Sequence, residues 1–369
     1  MSVRTRVVLL LVGCLGGASS SALAQAHSSD PWEIEVHGGG AWFGTPSKAT
    51  TALPPPGDPF VTVTGRPSRI VSSWYFGDGT ALFNEWAAAF TIVPRLQRLT
   101  SLDPVLTQSA TKFSNNGSVG LRVGRRLTPR LTAEVSADYR PSRLELSQTA
   151  LDGIEASRAS FENGWKEELG SGLANSGFVN AVVSSTSEID NGSGGQIVTV
   201  GALTVRLRHD GPLVPYATGG LGAAFNNGRA PNVTLKGHYT MSPSFNPLAM
   251  FDESDTVVVQ FARPNRALVG MFGGGFTYDV SRRHGVRVDF RVQMSPNQLD
   301  TLVSASPFVK TGTPAASTSS ATTPTVVFSN RGPSFPETLS GPAITAFRTH
   351  QGSGVQFETA LTVGYFLRF

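Results

Sequence analysis

The strongest constraint in this 369-residue chain is a set of three segment pairs, each segment alternating apolar with polar or small residues and each pair joined by only three residues. Ser118 to Arg126 and Arg130 to Arg140 flank Leu127-Thr128-Pro129; Gln196 to His209 and Leu213 to Asn226 flank Asp210-Gly211-Pro212; Arg266 to Val280 and His284 to Met294 flank Ser281-Arg282-Arg283. Period-two alternation closed by such turn residues reads as a β-hairpin. The links between hairpins are long, roughly forty to seventy residues, so tight and long connections alternate strictly. Two further strands, Trp32 to Phe43 and Val355 to Phe369, lack partners nearby, and closing a barrel pairs the first with the last. The expected fold class is therefore all-β: an eight-stranded antiparallel up-and-down transmembrane β-barrel with four long extracellular loops. Its strands fall near 32–43, 118–126, 130–140, 196–209, 213–226, 266–280, 284–294 and 355–369.

The two faces of the strands differ in chemistry. Val286, Val288, Phe290, Val292 and Met294 share one face, and Arg287, Asp289, Arg291 and Gln293 the other. Phe357, Leu361, Val363, Tyr365, Leu367 and Phe369 oppose Gln356, Glu358, Thr362 and Arg368, and Leu131, Val135 and Tyr139 oppose Glu134, Ser136 and Asp138. Apolar faces of this kind suit lipid. Aromatic residues near strand ends, among them Trp32, Tyr139, Tyr216, Phe225, Tyr278 and Tyr365, are expected in interfacial girdles.

The N-terminus reads as an export signal. Arg4 and Arg6 form a basic start, Val7 to Leu15 an apolar core, and Ala22-Leu23-Ala24 or Ala24-Gln25-Ala26 a small-residue cleavage site. Residues 1–26 are then a signal peptide and 27–369 the barrel. Leu11-Val12-Gly13-Cys14 also resembles a lipoprotein cleavage box, but we read Cys14 as an apolar residue of an ordinary signal core. Cys14 is the only cysteine, so the cleaved chain holds no disulfide and no thiolate metal site. The net charge of +4, or +2 without Arg4 and Arg6, is too small and dispersed to suggest nucleic acid.

A family resemblance is carried by three stretches. Leu361-Thr362-Val363-Gly364-Tyr365-Phe366-Leu367-Arg368-Phe369 looks like the C-terminal assembly signal read by the barrel-insertion machinery of Gram-negative outer membranes, with Leu361, Val363, Tyr365, Leu367 and Phe369 as the signal residues. Val214 to Ala223 and Gly285 to Arg291 are similar to strands of the small eight-stranded outer-membrane barrel family, which includes barrels of the OmpA, OmpX and OmpW type. The resemblance implies the cell outer membrane, its lipid and the insertion machinery as partners. It covers about a third of the chain, and the long loops depart from the small family members, so no loop function or loop partner carries over.

Projecting the alternation inward places Glu33, Glu35, Glu134, Asp138, Asp279, Asp289 and Glu358 beside Arg122, Arg206, Arg208, Arg287, Arg291 and Arg368. An eight-stranded barrel is only wide enough for side chains to fill, and buried charges must be paired. We read the set as a salt-bridged plug; the alternative is an ion or proton pathway through the same residues. In the loops, Ile70 to Gly79 and an amphipathic run through Leu82, Phe83, Trp86 and Phe90 belong to the first. A helix between Thr149 and Leu169, stopped by Gly170, belongs to the second. Val233 to Tyr239 and Thr256 to Phe261 read as a hairpin extending the rim, and the Ser/Thr/Pro-rich centre of Ser295 to Ser353 as disordered. Apolar loop residues are expected to cap the barrel mouth.

No chemical constellation accompanies this frame. Histidines at 27, 37, 209, 238, 284 and 350 have no metal-ligand spacing, and His37 reads as a hydrogen-bonded lumen residue. Gly38-Gly39-Gly40 and Gly273-Gly274-Gly275 open no helix with a following Lys-Ser or Lys-Thr, and Gly77-Asp78-Gly79 is too short for a calcium loop. No catalytic, cofactor or metal site is expected. Three functions remain open: a non-enzymatic anchor with surface loops for envelope integrity or partner contact, a narrow transporter for small, apolar molecules, and a rim enzyme acting on lipid or protein.

Overall fold

The computed structural model describes residues 32–44, 52–54, 60–61, 67–68, 71–89, 97–141, 143–168, 179–208, 211–243, 251–296, 299–311, 325–329, 338–342, 344–351 and 354–369. The export signal, Phe90, Gly170 and much of the Ser/Thr/Pro-rich stretch lie outside the described residues. Eight strands close into one antiparallel barrel: β1 (Trp32–Phe43), β2 (Asn116–Arg126), β3 (Leu131–Arg140), β4 (Ser193–Arg206), β5 (Leu213–Arg229), β6 (Arg266–Asp279), β7 (His284–Pro296) and β8 (Val355–Arg368). Each pairs with its predecessor and successor, and β1 closes on β8 in a register running from Glu33 opposite Arg368 to Phe43 opposite Glu358. The tight turns are held locally: the Thr128 hydroxyl accepts from Leu131 N at 3.0 Å, and the Ser281 hydroxyl from His284 N at 3.1 Å.

The alternation sorts side chains between two media. Along β8, Phe357, Leu361, Val363, Tyr365 and Leu367 stand outside, while Glu358, Thr362, Phe366 and Arg368 are buried within. An apolar outside around a charged inside is the inverse of a water-soluble barrel and suits a hydrocarbon surround. Trp32, Tyr278 and Tyr365 lie toward the turn end, Trp42, Tyr139 and Phe357 toward the other. Tyr216 departs from the expected girdle: it is 4% exposed and points into the lumen, because it shares the face of Val214 and Thr218.

The long connections are folded. A second sheet has the strand order 344–351, 300–305, 251–262, 232–243, 179–190. These segments precede or follow β8, β7, β6, β5 and β4, so the second sheet repeats the order of five barrel strands and continues them upward as a half-wall. It includes the expected rim hairpin, 232–243 with 251–262. Where the chain passes between barrel and wall, Gly194 of β4 pairs with Gly228 of β5; both have positive φ (122° and 101°), a conformation side chains disfavour. Three helices pack against the wall: α1 (Gly77–Ala89), α2 (Asp103–Thr107) and α3 (Gln148–Glu167), the last capped by Ser147 accepting from Ala150 N at 3.2 Å.

Half-wall and helices bury their own core over the barrel mouth. Trp165 of α3 stacks on Tyr239 of the wall at 4.2 Å and meets Trp74 and Phe83 edge-on at 5.3 and 5.0 Å, while Tyr75 stacks on Phe161 at 4.9 Å. Val233, Leu235, Val257, Val259, Phe261 and Val303 supply the wall's side of this core. Three connections thus interlock through one aromatic cluster, and the expected cap is a second packed body.

Candidate functional site: the charged lumen and the capped mouth

Two guanidiniums organise the lumen. Arg122, projecting from β2, places Nη1 3.2 Å from Glu35, Nη2 2.6 Å from Asp289 and Nε 3.9 Å from Glu134. Arg287 of β7 places Nε 3.0 Å from Glu35 and Nη1 2.9 Å from Glu134, and also pairs with Glu33. Glu35 and Glu134 therefore each bridge both arginines. Asp289 Oδ2 is shared as well, accepting from Arg122 Nη2 and from Arg291 Nε at 2.6 Å. Arg122, Arg287, Arg291, Glu35, Glu134 and Asp289 are all nearly inaccessible to solvent, so this centre is a buried, cross-linked plug.

The network extends both ways. Toward the turns, Arg368 pairs with Glu33 at 3.0 Å and Asp279 at 2.9 Å. Its guanidinium lies 4.5 Å over Phe366, and that of Arg287 5.3 Å over Tyr216. Toward the cap, His37 Nε2 lies 2.6 Å from Asp138 and Nδ1 3.4 Å from Glu35, and Arg140 pairs with Glu358 and donates to Gln293 at 3.1 Å. Room for the His37–Asp138 pair comes from Gly120, where a Cβ would sit 2.6 Å from each of the two side chains. Between Glu33 and Glu35 the contacts run through the Arg287 guanidinium. A guanidinium keeps its protons at any physiological pH, so these contacts do not form a proton relay.

Most of the expected lumen residues meet: Glu35, Arg122, Glu134, Asp138, Arg287, Asp289, Arg291 and Glu358 all belong to the plug, as do Glu33, Asp279 and Arg368. Arg206 differs. It is half-buried at the turn end, within electrostatic reach of Glu33, Asp279, Arg126 and Arg368 and outside the salt-bridged centre. Arg208 lies beyond the end of β4 and is exposed, because the strand stops at Arg206. Arg140, missed in the sequence reading, could have been found by counting two onward from Asp138. Leu361, Val363, Tyr365, Leu367 and Phe369, the expected assembly signal, line the outer face of the closing strand.

Above the plug the lumen changes character. Val198 and Val200 of β4, Ala224 of β5, and Val269 and Met271 of β6 form an apolar patch on its inner wall. Over it, where the strands reach the cap, lies a cavity of about 30 Å³ lined by Arg263, Gln196, Asn226, Gln356 and Phe113 among others. The cap also buries two acids that the sequence reading did not single out. Asp255 Oδ2 accepts from Ser73 Oγ at 2.9 Å and Trp74 N at 2.6 Å, and Glu253 accepts from the Tyr239 hydroxyl. Burial pushes the Asp255 carboxyl up to about 7. The run Glu253-x-Asp255-x-Val257-x-Val259-x-Phe261 was the available signal, since period two puts both acids on the apolar face.

No family model matches the chain, and no curated protein matches it in sequence. Among solved structures it is similar to the outer membrane protein OprG from Pseudomonas aeruginosa, at 11% identity over 92% of this chain and 97% of that one, with a TM-score of 0.30. It is also similar to the CymD monoaromatic hydrocarbon channel, at 8% identity over 93% and 89% with a TM-score of 0.18. A third is the Ralstonia pickettii toluene transporter TbuX, at 10% identity over 70% and 68% with a TM-score of 0.18. These likenesses are distant, and the barrel stands on its own strand register.

Proposed function

We propose that this chain is a non-enzymatic outer-membrane protein whose barrel is a closed anchor and whose folded cap acts at the cell surface, in envelope integrity or in contact with a partner. The observation that carries this reading is the plug. Arg122, Arg287, Glu35, Glu134 and Asp289 cross-link opposite sides of the lumen and are nearly inaccessible to solvent. Export by a signal peptide over residues 1–26 and insertion through the C-terminal strand belong to the same proposal, as does kinship with the small eight-stranded barrels. In planar bilayers the purified monomer is expected to give no stable conductance. Long-lived, large openings would defeat the anchor reading.

A second reading is favoured by the upper lumen. An apolar wall under a small cavity, above a sealed floor, suits capture of a small molecule from the cap side with exit sideways into lipid. Uptake by vesicles containing the protein, in the absence of ionic conductance, would move this transporter reading ahead of the anchor.

A further inference from the structure

The cavity between barrel and cap has a polar inventory that the protein does not satisfy. Arg263, in the link between the half-wall and β6, holds its guanidinium 5.3 Å over the Phe113 ring, which itself stacks on Phe43 at 5.0 Å. Its Nη2 reaches the Asn227 carbonyl only at 3.5 Å, and its buried Nη1 has no hydrogen-bond partner. No carboxylate pairs with Arg263 among the described residues, and burial alone lowers its pKa to about 10. Arg263 is half-buried with its Nη1 inaccessible to solvent, and a cation so placed without a counter-charge is costly.

Two further residues lining the same cavity carry orphan atoms. Gln356 Nε2, a donor, and Gln196 Oε1, an acceptor, are buried without partners, although Gln196 Nε2 donates to Asn226 Oδ1 at 3.1 Å and Asn226 Nδ2 to the Pro264 carbonyl at 2.9 Å. Those bonds fix the Gln196 and Asn226 amides and leave Gln196 Oε1 without a partner. Each orphan alone is unremarkable; three of them on residues that line one cavity, a cation among them, form a set of partners that one polar ligand would complete. The void of about 30 Å³ has room for roughly two or three waters, and hence for a ligand of about four heavy atoms.

We propose that this cavity is a binding site for a compact carboxylate of acetate size. The carboxylate supplies the counter-charge for Arg263 Nη1 and the acceptor for Gln356 Nε2. Gln196 Oε1 is then met by a water or by a hydroxyl carried on the ligand. The site is formed by the ends of barrel strands together with the Arg263 link and the short strand 111–113, which pairs with 144–146, so occupancy ties cap to barrel. It is independent of whether the lumen below conducts.

Saturation-transfer NMR of acetate tests the site, using the full chain purified in detergent at constant ionic strength, with heat-modifiable gel mobility checking that the barrel is folded. Wild type is expected to show saturable transfer. Arg263→Gln should weaken apparent affinity about tenfold or more, the scale of a hydrogen bond to a charge. Gln356→Leu, which removes the donor and keeps the cation, should weaken it severalfold and guards against a folding defect in the first variant. Absence of saturable transfer in wild type overturns the proposal, and so does equal affinity in wild type and both folded variants.

Discussion

Removing Asp289 tests the plug at its most shared point. Its Oδ2 holds Arg122 Nη2 and Arg291 Nε, each at 2.6 Å. In Asp289→Ala, Arg122 retains Glu35 at 3.2 Å, but Arg291 keeps only the Ser136 hydroxyl at 3.4 Å. One guanidinium, 4% exposed, is thus left without a carboxylate, and the cost of such a stranded charge is about 3–5 kcal/mol. With a urea m-value of about 3 kcal/mol/M, the unfolding midpoint should fall by about 1–2 M. Urea titration in detergent or vesicles, read by heat-modifiable mobility, measures it. The double variant Asp289→Ala/Arg291→Met removes the stranded group as well and should recover most of the loss, since an apolar side chain of similar length is tolerated where an unpaired cation is not. A loss below about 1 kcal/mol in Asp289→Ala would refute the reasoning. Strictly additive losses in the double variant would refute it too.

The cap should loosen as pH rises. Asp255 takes its proton more tightly folded (about 7) than at its ordinary 3.8, because burial penalises the carboxylate. Between those values the opened cap binds fewer protons, so stability is full below the lower value and falls through the upper, by about 4 kcal/mol in all. Hydrogen exchange over 251–262, corrected for its intrinsic pH dependence and compared between about pH 4 and about pH 8, should show the loss, and Asp255→Asn should flatten it; a pH-independent wild type would contradict this. Trp165→Ala, which empties the space among Trp74, Phe83 and Tyr239, should destabilise the cap by about 3–5 kcal/mol. Proteolysis within 71–168 should then accelerate while barrel mobility on gels is unchanged, and unaltered protection would argue against an interlocked core. Replacing Leu361, Val363 and Tyr365 with Ser, or deleting Phe369, should leave the chain unassembled and degraded. Normal outer-membrane levels of those variants would show that the C-terminal resemblance misleads.

What the amino-acid sequence determined by itself is the barrel and its two media. A strand that separates lipid from lumen must alternate with period two, so Val363 against Thr362 or Phe290 against Asp289 announces both the strand and its faces. Strand number followed from three tight turns and two unpartnered ends. Residue type misled where it was allowed to outweigh parity: Tyr216 was placed in a girdle for being aromatic, although its neighbours two residues away are buried in the lumen. Partners were a different matter. Arg287 meets Glu33 across 254 residues of chain and Arg122 meets Asp289 across 167, and only closure and register bring such groups level. The cap shows the same limit. Its helices and rim hairpin are local patterns, but the half-wall inherits its order from five barrel strands already in place. The cavity lined by Arg263 likewise draws on residues from several separate stretches of chain, Phe113, Leu144, Gln196, Asn226 and Gln356 among them, that only the tertiary fold brings together.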